Sequence, residues 1–269
     1  HGTRSALTRV GRVSWLEMGA VILAGVWAGA INTLVGSGTL VTFPVLLALG
    51  TPAVTANVSN SIGLVAGGVS GTIGYLPELK GMGRRVAQLV PMSVLGAITG
   101  ALLLLWLPPE AFEAVVPVLI GIGILLVIFG PRLQAWTKSR HEEGGSMPTS
   151  HLVALMAGVL VAGVYGGYFG AAQGVILIGL LSALSTEPLQ SLNGLKNVLG
   201  LFVNAVGSLV FIITAPDLID WRLAALVGVG AILGGVLGSR YGRRLPPNAL
   251  RAVIVVVGVA GLVKFVFFP

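Results

Sequence analysis

The sequence predicts an all-α polytopic membrane protein. It has two homologous repeats of about five hydrophobic segments each, in inverted topology, with a short broken or re-entrant helix in each repeat. Three observations predict it. Only 9% of the 269 residues are charged, against roughly 25% in a soluble domain, and mean hydropathy is +0.96. Apolar runs of about twenty residues recur along the chain, each long enough to cross a hydrocarbon core of about 30 Å; they do not alternate as the strands of a membrane barrel would. Third, the two halves match in order.

The match begins with LVGSGTLVTFPVLLAL (34–49) on YFGAAQGVILIGLLSA (168–183), which aligns Gly29 with Gly163 and Gly36 with Gly170. TANVSNSIGLVAGGVSG (55–71) then lies on SLNGLKNVLGLFVNAVG (191–207), and Asn57 falls on Asn193. Gly96 follows on Gly234, Gly100 on Gly238, and Leu107-Pro108-Pro109 on Leu245-Pro246-Pro247. Residues 13–130 form an N-terminal transmembrane repeat, 151–268 a C-terminal one, and 131–150 a polar cytoplasmic linker rich in charge, Gly and Ser. The first apolar run has a counterpart in the second half, so it reads as part of the fold rather than as a cleaved signal.

In chain order the first repeat gives segments at 13–35, 38–50, 53–76, 84–106 and 109–130; the second gives 151–170, 174–185, 188–213, 221–240 and 247–268. The second segment of each set is short. Twelve or thirteen helical residues cover roughly 18–20 Å, less than a clean crossing. Each follows a Gly-rich break, GSG at 36–38 and GAAQG at 170–174. Non-helical backbone at membrane depth persists only inside protein or against a cavity.

Loop charge sets the orientation. The 77–85 loop carries Lys80, Arg84 and Arg85, whereas its counterpart near 214–222 carries Asp217, Asp220 and Arg222. The 107–113 loop carries Glu110 and Glu113, and its counterpart at 239–251 carries Arg240, Arg243, Arg244 and Arg251. Positive loops stay in the cytoplasm, so equivalent loops face opposite sides, as inverted repeats require. The linker, with Arg132, Lys138 and Arg140, falls inside as well. Arg4, Arg9 and Arg12 then lie outside, against the rule; if they lie inside, the short segments do not cross and the repeats are parallel. Inversion accounts for more of the loops. The net charge of +7 is therefore read as topology, and no nucleic-acid partner is expected.

Lys196 stands out in this chain. At about 100° per residue, Asn193, Lys196, Asn197, Gly200, Asn204, Gly207 and Ser208 share one face of the segment after the second break. Asn57, Asn60, Ser61, Gly68, Gly71 and Thr72 share the matching face after the first. Such stripes face the bundle interior or a cavity. Small residues and Asn also serve plain helix packing, and a lysine can snorkel to the interface. A lysine at depth costs about 2.5–3.5 kcal/mol on insertion scales, and the nine carboxylates lie in loops or at segment ends. Glu187 is about 13 Å away along a helix, too far for a direct pair. A buried cation without an acid points to an anion. Gly36-Ser37-Gly38-Thr39 and the Gln173 break each start a half-helix, whose N-terminus offers amides and a positive dipole end. Two such termini facing each other and one lysine predict an anion site near the midplane, where discontinuous helices of secondary transporters bind substrate. The candidate substrate-binding residues are Lys196, Asn57, Asn193, Asn197, Ser61, Gly36, Ser37, Gly38, Thr39, Gln173 and Tyr168; Tyr165 and Tyr168 precede the second break, where they can line the site, with packing or interfacial anchoring as the alternative.

AGAINTLVGSGTLVTFP (28–44), the TANVSNS and SLNGLKN helices, the later DWR (220–222) and both LPP motifs resemble the TauE/SafE sulfite-exporter family, also called the toluene-sulfonate uptake permeases. The resemblance covers nearly the whole chain. It implies transport of sulfur-containing anions: sulfite, organosulfonates or thiosulfate. That family carries a longer glycine run after the first helix, where this chain has Gly36-Ser37-Gly38-Thr39; Ser37 and Thr39 add hydroxyls and can change substrate preference.

The sequence thus predicts a secondary transporter, an exporter by preference, of small sulfur-containing anions in the cell inner membrane. An anion channel, or a carrier of another small anion such as a carboxylate, is the alternative. Uptake needs a coupling ion, and no carboxylate lies at depth to carry a proton; a coupling proton through Lys196 stays open. An intramembrane enzyme is not expected: His1, His141 and His151 sit at the terminus, the linker and a segment end, and no nucleophile and base face each other at depth. With no cysteine there is no disulfide framework or thiolate site. No catalytic residue, cofactor or metal is expected, and the oligomeric state is unknown.

Overall fold

Each helix begins and ends where backbone chemistry allows. In the computed structural model, which describes residues 14–138, 149–185, 187–241 and 247–267, Ser14 opens the first helix with a capping box. Its hydroxyl accepts from the Glu17 amide at 3.3 Å, and the Glu17 carboxylate accepts from the Ser14 amide at 2.7 Å. Helix α1 runs Trp15–Leu34 and α2 Thr39–Ala48; α3 (Ala53–Gly74) starts directly after Pro52. Then come α4 (Gly83–Trp106) and α5 (Pro109–Lys138). In the second half α6 is Thr149–Tyr168, α7 Gln173–Leu184, α8 Leu189–Thr214, α9 Trp221–Tyr241 and α10 Pro247–Phe267. The sequence bounds hold to within about two residues except at α5, which continues through Pro131 to Lys138, so the first eight residues of the expected linker are helical. Arg4, Arg9, Arg12, His1, Arg140, His141, Arg243 and Arg244 lie outside the described residues.

Among the described residues there are helices and no strands. Six of the described helices are long and apolar enough to cross a membrane: α1, α4, α5 up to Gly130, α6, α8 and α9. Helix α3, with 22 residues, is as long but is not among them, because Asn57, Ser59, Asn60, Ser61, Ser70 and Thr72 dilute its apolar content. Helices α2 and α7 have 10 and 12 residues, about 15–18 Å, and their side chains are largely buried. The outer surface carries Leu23, Leu95, Val118, Leu125, Val161 and Leu209, all exposed. Trp15, Trp106 and Trp221 stand exposed at helix ends, where aromatic rings settle at a bilayer interface.

Small residues hold the helices together. The most extensive interfaces are α1 with α9, α3 with α9 and α4 with α6, followed by α4 with α8 and α3 with α8. Gly25 and Gly29 of α1 meet Val227, Gly230 and Ala231 of α9 backbone to backbone, and Gly96 and Gly100 of α4 meet Gly163 and Val164 of α6 in the same way. No Cβ fits at these contacts. In a bilayer, where burial of apolar surface between helices gains little, such close approach supplies the association energy. The short helices fill the space left over: α2 packs on α10 and α7 on α5. One apolar core, with Phe43, Phe112, Phe169 and Phe211, joins α2, α3, α5 and α8; a second, with Leu89, Leu155, Leu177 and Leu199, joins α4, α6, α7 and α8.

Candidate functional site

The two breaks are built alike and meet. Helix α1 closes when the amides of Val35 and Gly36 both donate to Ile31 O, at 2.7 and 3.0 Å, with Gly36 at φ 85°. Helix α6 closes when Phe169 and Gly170 donate to Tyr165 O, at 2.9 and 3.1 Å, with Gly170 at φ 77°. A left-handed residue after a helix is the usual glycine stop. Gly36 then touches Gly174, whose amide donates to Gly36 O at 2.9 Å. A Cβ on either glycine would collide with the other's backbone.

Beside this crossing lies a cavity of about 470 Å³ counted with its mouth. Thr39 and Gln173, the first residues of the two half-helices, line it together with Gly36, Gly170 and Gly174 of the breaks. Helix α8 contributes Lys196, Asn197, Gly200, Leu201 and Asn204; α3 contributes Gly68 and Gly71, and the end of α1 contributes Asn32 and Thr33. Lys196 is the one charged residue in this lining among the described residues.

The lysine finds its partner in backbone. Lys196 is 2% exposed, and Nζ donates to Thr33 O at 3.0 Å. The last turn of a helix leaves carbonyls without intrahelical partners at the negative end of the dipole. An ammonium is welcome there, which accounts for a buried lysine with no acid beside it. The side chain turns into the bundle and does not snorkel.

The other donors around the cavity are side chains more than backbone. Gln173 is 5% and Asn197 8% exposed, and Gln173 Nε2 and Asn197 Nδ2 are buried without a hydrogen-bond partner. Buried amide nitrogens left unpaired are costly, so both suit a ligand acceptor. Thr39 Oγ1 accepts from Asn60 Nδ2 at 3.3 Å, which leaves its own proton to donate. Asn60 Oδ1 in turn accepts from Thr42 Oγ1 at 2.5 Å, so α3 pins the first turn of α2. The first amides of α7 are engaged: Gln173 N bonds Gly170 O, Gly174 N bonds Gly36 O, and Val175 N bonds Ala172 O. The α7 terminus therefore presents Gln173's side chain rather than a set of open amides.

Of the eleven sequence candidates, Lys196, Asn197, Gly36, Thr39 and Gln173 come together on the cavity. The rest lie outside its lining. Asn57 Nδ2 donates to Tyr168 O at 3.0 Å, bracing α3 against the end of α6. Ser61 Oγ donates to Asn57 O at 2.9 Å. Tyr168 sets its ring edge on Phe112, centroids 5.6 Å apart. Gly38 packs on Ala28 O, Ser37 is fully buried with its hydroxyl unpartnered, and Asn193 is half-buried. Asn32 and Thr33 were not candidates. Their signal was a polar pair in an apolar helix one turn before the break. Asp220 of the DWR motif caps α9, accepting from the amides of Arg222 and Leu223 at 3.0 and 3.1 Å. No group of three or more His, Cys, Asp or Glu able to hold a metal occurs among the described residues.

Comparison with known proteins places the chain in a family. The family described as Sulfite exporter TauE/SafE matches residues 21–265. The chain is 29% identical to "Probable membrane transporter protein YfcA" of Escherichia coli K12, over 95% of this chain and 91% of that protein. It is 26% identical to "Probable membrane transporter protein ORF9" of a Sinorhizobium species, over 93% and 92% of the two chains. A "Probable membrane transporter protein" of Haemophilus influenzae is 25% identical, over 94% and 97%. No solved structure matches the chain. With six helices among the described residues long and apolar enough to cross a membrane and a family match along nearly its whole length, this multi-pass membrane protein belongs to the sulfite exporter TauE/SafE family of membrane transporters.

Proposed function

We propose that the chain is a secondary transporter, working as an exporter, of small sulfur-containing anions such as sulfite or organosulfonates, bound at the crossing of the two helix breaks. One observation carries the reading. A single buried ammonium, Lys196, and two buried amide donors without partners, Gln173 Nε2 and Asn197 Nδ2, line one cavity that no carboxylate enters among the described residues. One cation and two unpaired donors, with no carboxylate beside them, are complementary to an oxyanion. Moving one negative charge outward down an inside-negative potential releases about 2.3 kcal/mol per 100 mV, so export requires no other energy source.

We further propose that residues 13–130 and 151–268 are inverted repeats, joined by the linker, with the site near the bilayer midplane between them. The matching closure of α1 at Gly36 and α6 at Gly170 supports the repeat, whose inversion rests on loop charge. The exchange of partners supports the repeat as well: α1 packs on α9 as α6 packs on α4, and α2 on α10 as α7 on α5. Rocking of one half against the other about the Gly36–Gly174 contact then alternates access.

The test is labelled sulfite and methanesulfonate flux in proteoliposomes under an imposed potential, with and without a pH gradient. Saturable flux, with counterflow against unlabelled anion and dependence on the potential, is expected. Flux without saturation or counterflow identifies a channel. Transport of acetate but of neither sulfur anion contradicts the substrate class, and dependence on the pH gradient adds a coupled proton.

A further inference from the structure

The cavity's charge inventory selects among anions. Resting on the transport reading above, we propose that the site takes the singly charged form of its substrate, a sulfonate or hydrogensulfite, and rejects dianions such as sulfate.

The two halves are not equivalent at the decisive position. Aligning Asn57 with Asn193 puts Asn60 where the second half has Lys196. Asn60 is fully buried and engaged, its amide nitrogen to Thr39 and its oxygen to Thr42, so it adds no charge. Gln173 and Asn197 offer neutral donors only. Among the described residues the lining therefore holds one positive charge and no negative one. Part of even that charge is shared, because Lys196 Nζ rests on Thr33 O.

A monoanion in this cavity is neutralised by Lys196, and its remaining oxygens accept from Gln173 Nε2, Asn197 Nδ2 and the Thr39 hydroxyl. A dianion keeps one charge uncompensated out of water, and an unpaired buried charge is far more costly than an unpaired dipole. The two amides and the one hydroxyl offset only part of that cost. The fourth corner of a sulfonate also differs from that of sulfate: it is carbon, and Leu201 with Gly68, Gly71 and Gly200 offers an apolar, side-chain-poor wall to receive it.

The experiment compares methanesulfonate and sulfate, nearly equal in size and fixed in charge between pH 6 and pH 8, as inhibitors of labelled methanesulfonate uptake by the full chain in proteoliposomes. Methanesulfonate is expected to compete at least about tenfold better than sulfate. In Asn204→Lys, which adds a second cation to the same lining, sulfate competition is expected to rise while that of methanesulfonate falls. Equal competition by the two anions in the wild-type protein overturns the charge selection and leaves the transport reading standing. Absence of methanesulfonate and sulfite uptake altogether overturns both. The wild-type comparison decides the matter even where Asn204→Lys fails to fold.

Discussion

At the scale of single residues, polar side chains of the same type do different work. Asn197 and Gln173 keep an amide nitrogen unpaired toward the cavity, whereas Asn57 spends its own on Tyr168 O. Asn57→Ala is expected to cost about 1–3 kcal/mol through the orphaned carbonyl and to lower the thermal midpoint in detergent, with the half-saturation concentration for methanesulfonate unchanged. Gln173→Ala should do the reverse, weakening apparent affinity about tenfold while the midpoint holds or rises. A matched pair of melting and uptake curves checks both. The sequence could place Asn57, Lys196 and Asn197 on interior faces, because a 3.6-residue period is legible. It could not say which of them reaches the cavity, since that depends on where a neighbouring helix ends. Nor could it supply the partner of Lys196: a search for carboxylates misses Thr33 O, because a backbone carbonyl carries no residue type.

At the scale of elements, the breaks carry the architecture. Their positions were legible from GSG and GAAQG and from the short apolar runs that follow. That the two half-helices face one site was expected from the duplication; the direct contact of Gly36 with Gly174 was not, because it joins residues more than a hundred positions apart with nothing but glycine to mark it. Gly36 combines a left-handed φ of 85° with a backbone neighbour. Gly50 has a similar φ of 82° and open space around it. Gly50→Ala is therefore expected to cost only backbone strain, about 1–2 kcal/mol. Gly36→Ala adds a collision and should abolish folded protein, read as loss of a monodisperse peak in size-exclusion chromatography. Equal behaviour of the two variants would mean that the breaks do not touch. The extension of α5 to Lys138 was hidden for a different reason: hydropathy falls at Pro131 although Arg-Leu-Gln-Ala are good helix formers, so the apolar run and the helix end at different places.

For the whole molecule, family membership and the ten α-helices of the described residues followed from hydropathy, glycine placement and motif order, while orientation rests on loop charge. The chain contains no cysteine, so single cysteines report sidedness directly. Lys80→Cys and Asp217→Cys place a thiol at exposed positions in equivalent loops. Inverted repeats require an impermeant maleimide to reach the first from the cytoplasmic side and the second from the opposite side; labelling of both from one side means parallel repeats. The central claim is that Lys196 is the counter-charge of a transported anion, and its most direct test is methanesulfonate and sulfite flux in proteoliposomes for the wild-type protein and Lys196→Ala. Loss of a charge-assisted contact worth about 1.5–3 kcal/mol predicts uptake reduced about ten- to hundredfold at subsaturating substrate, in a variant that still elutes as folded protein. Wild-type flux in Lys196→Ala would contradict the account, leaving the lysine as a cap for the end of α1 and the anion to be bound without it.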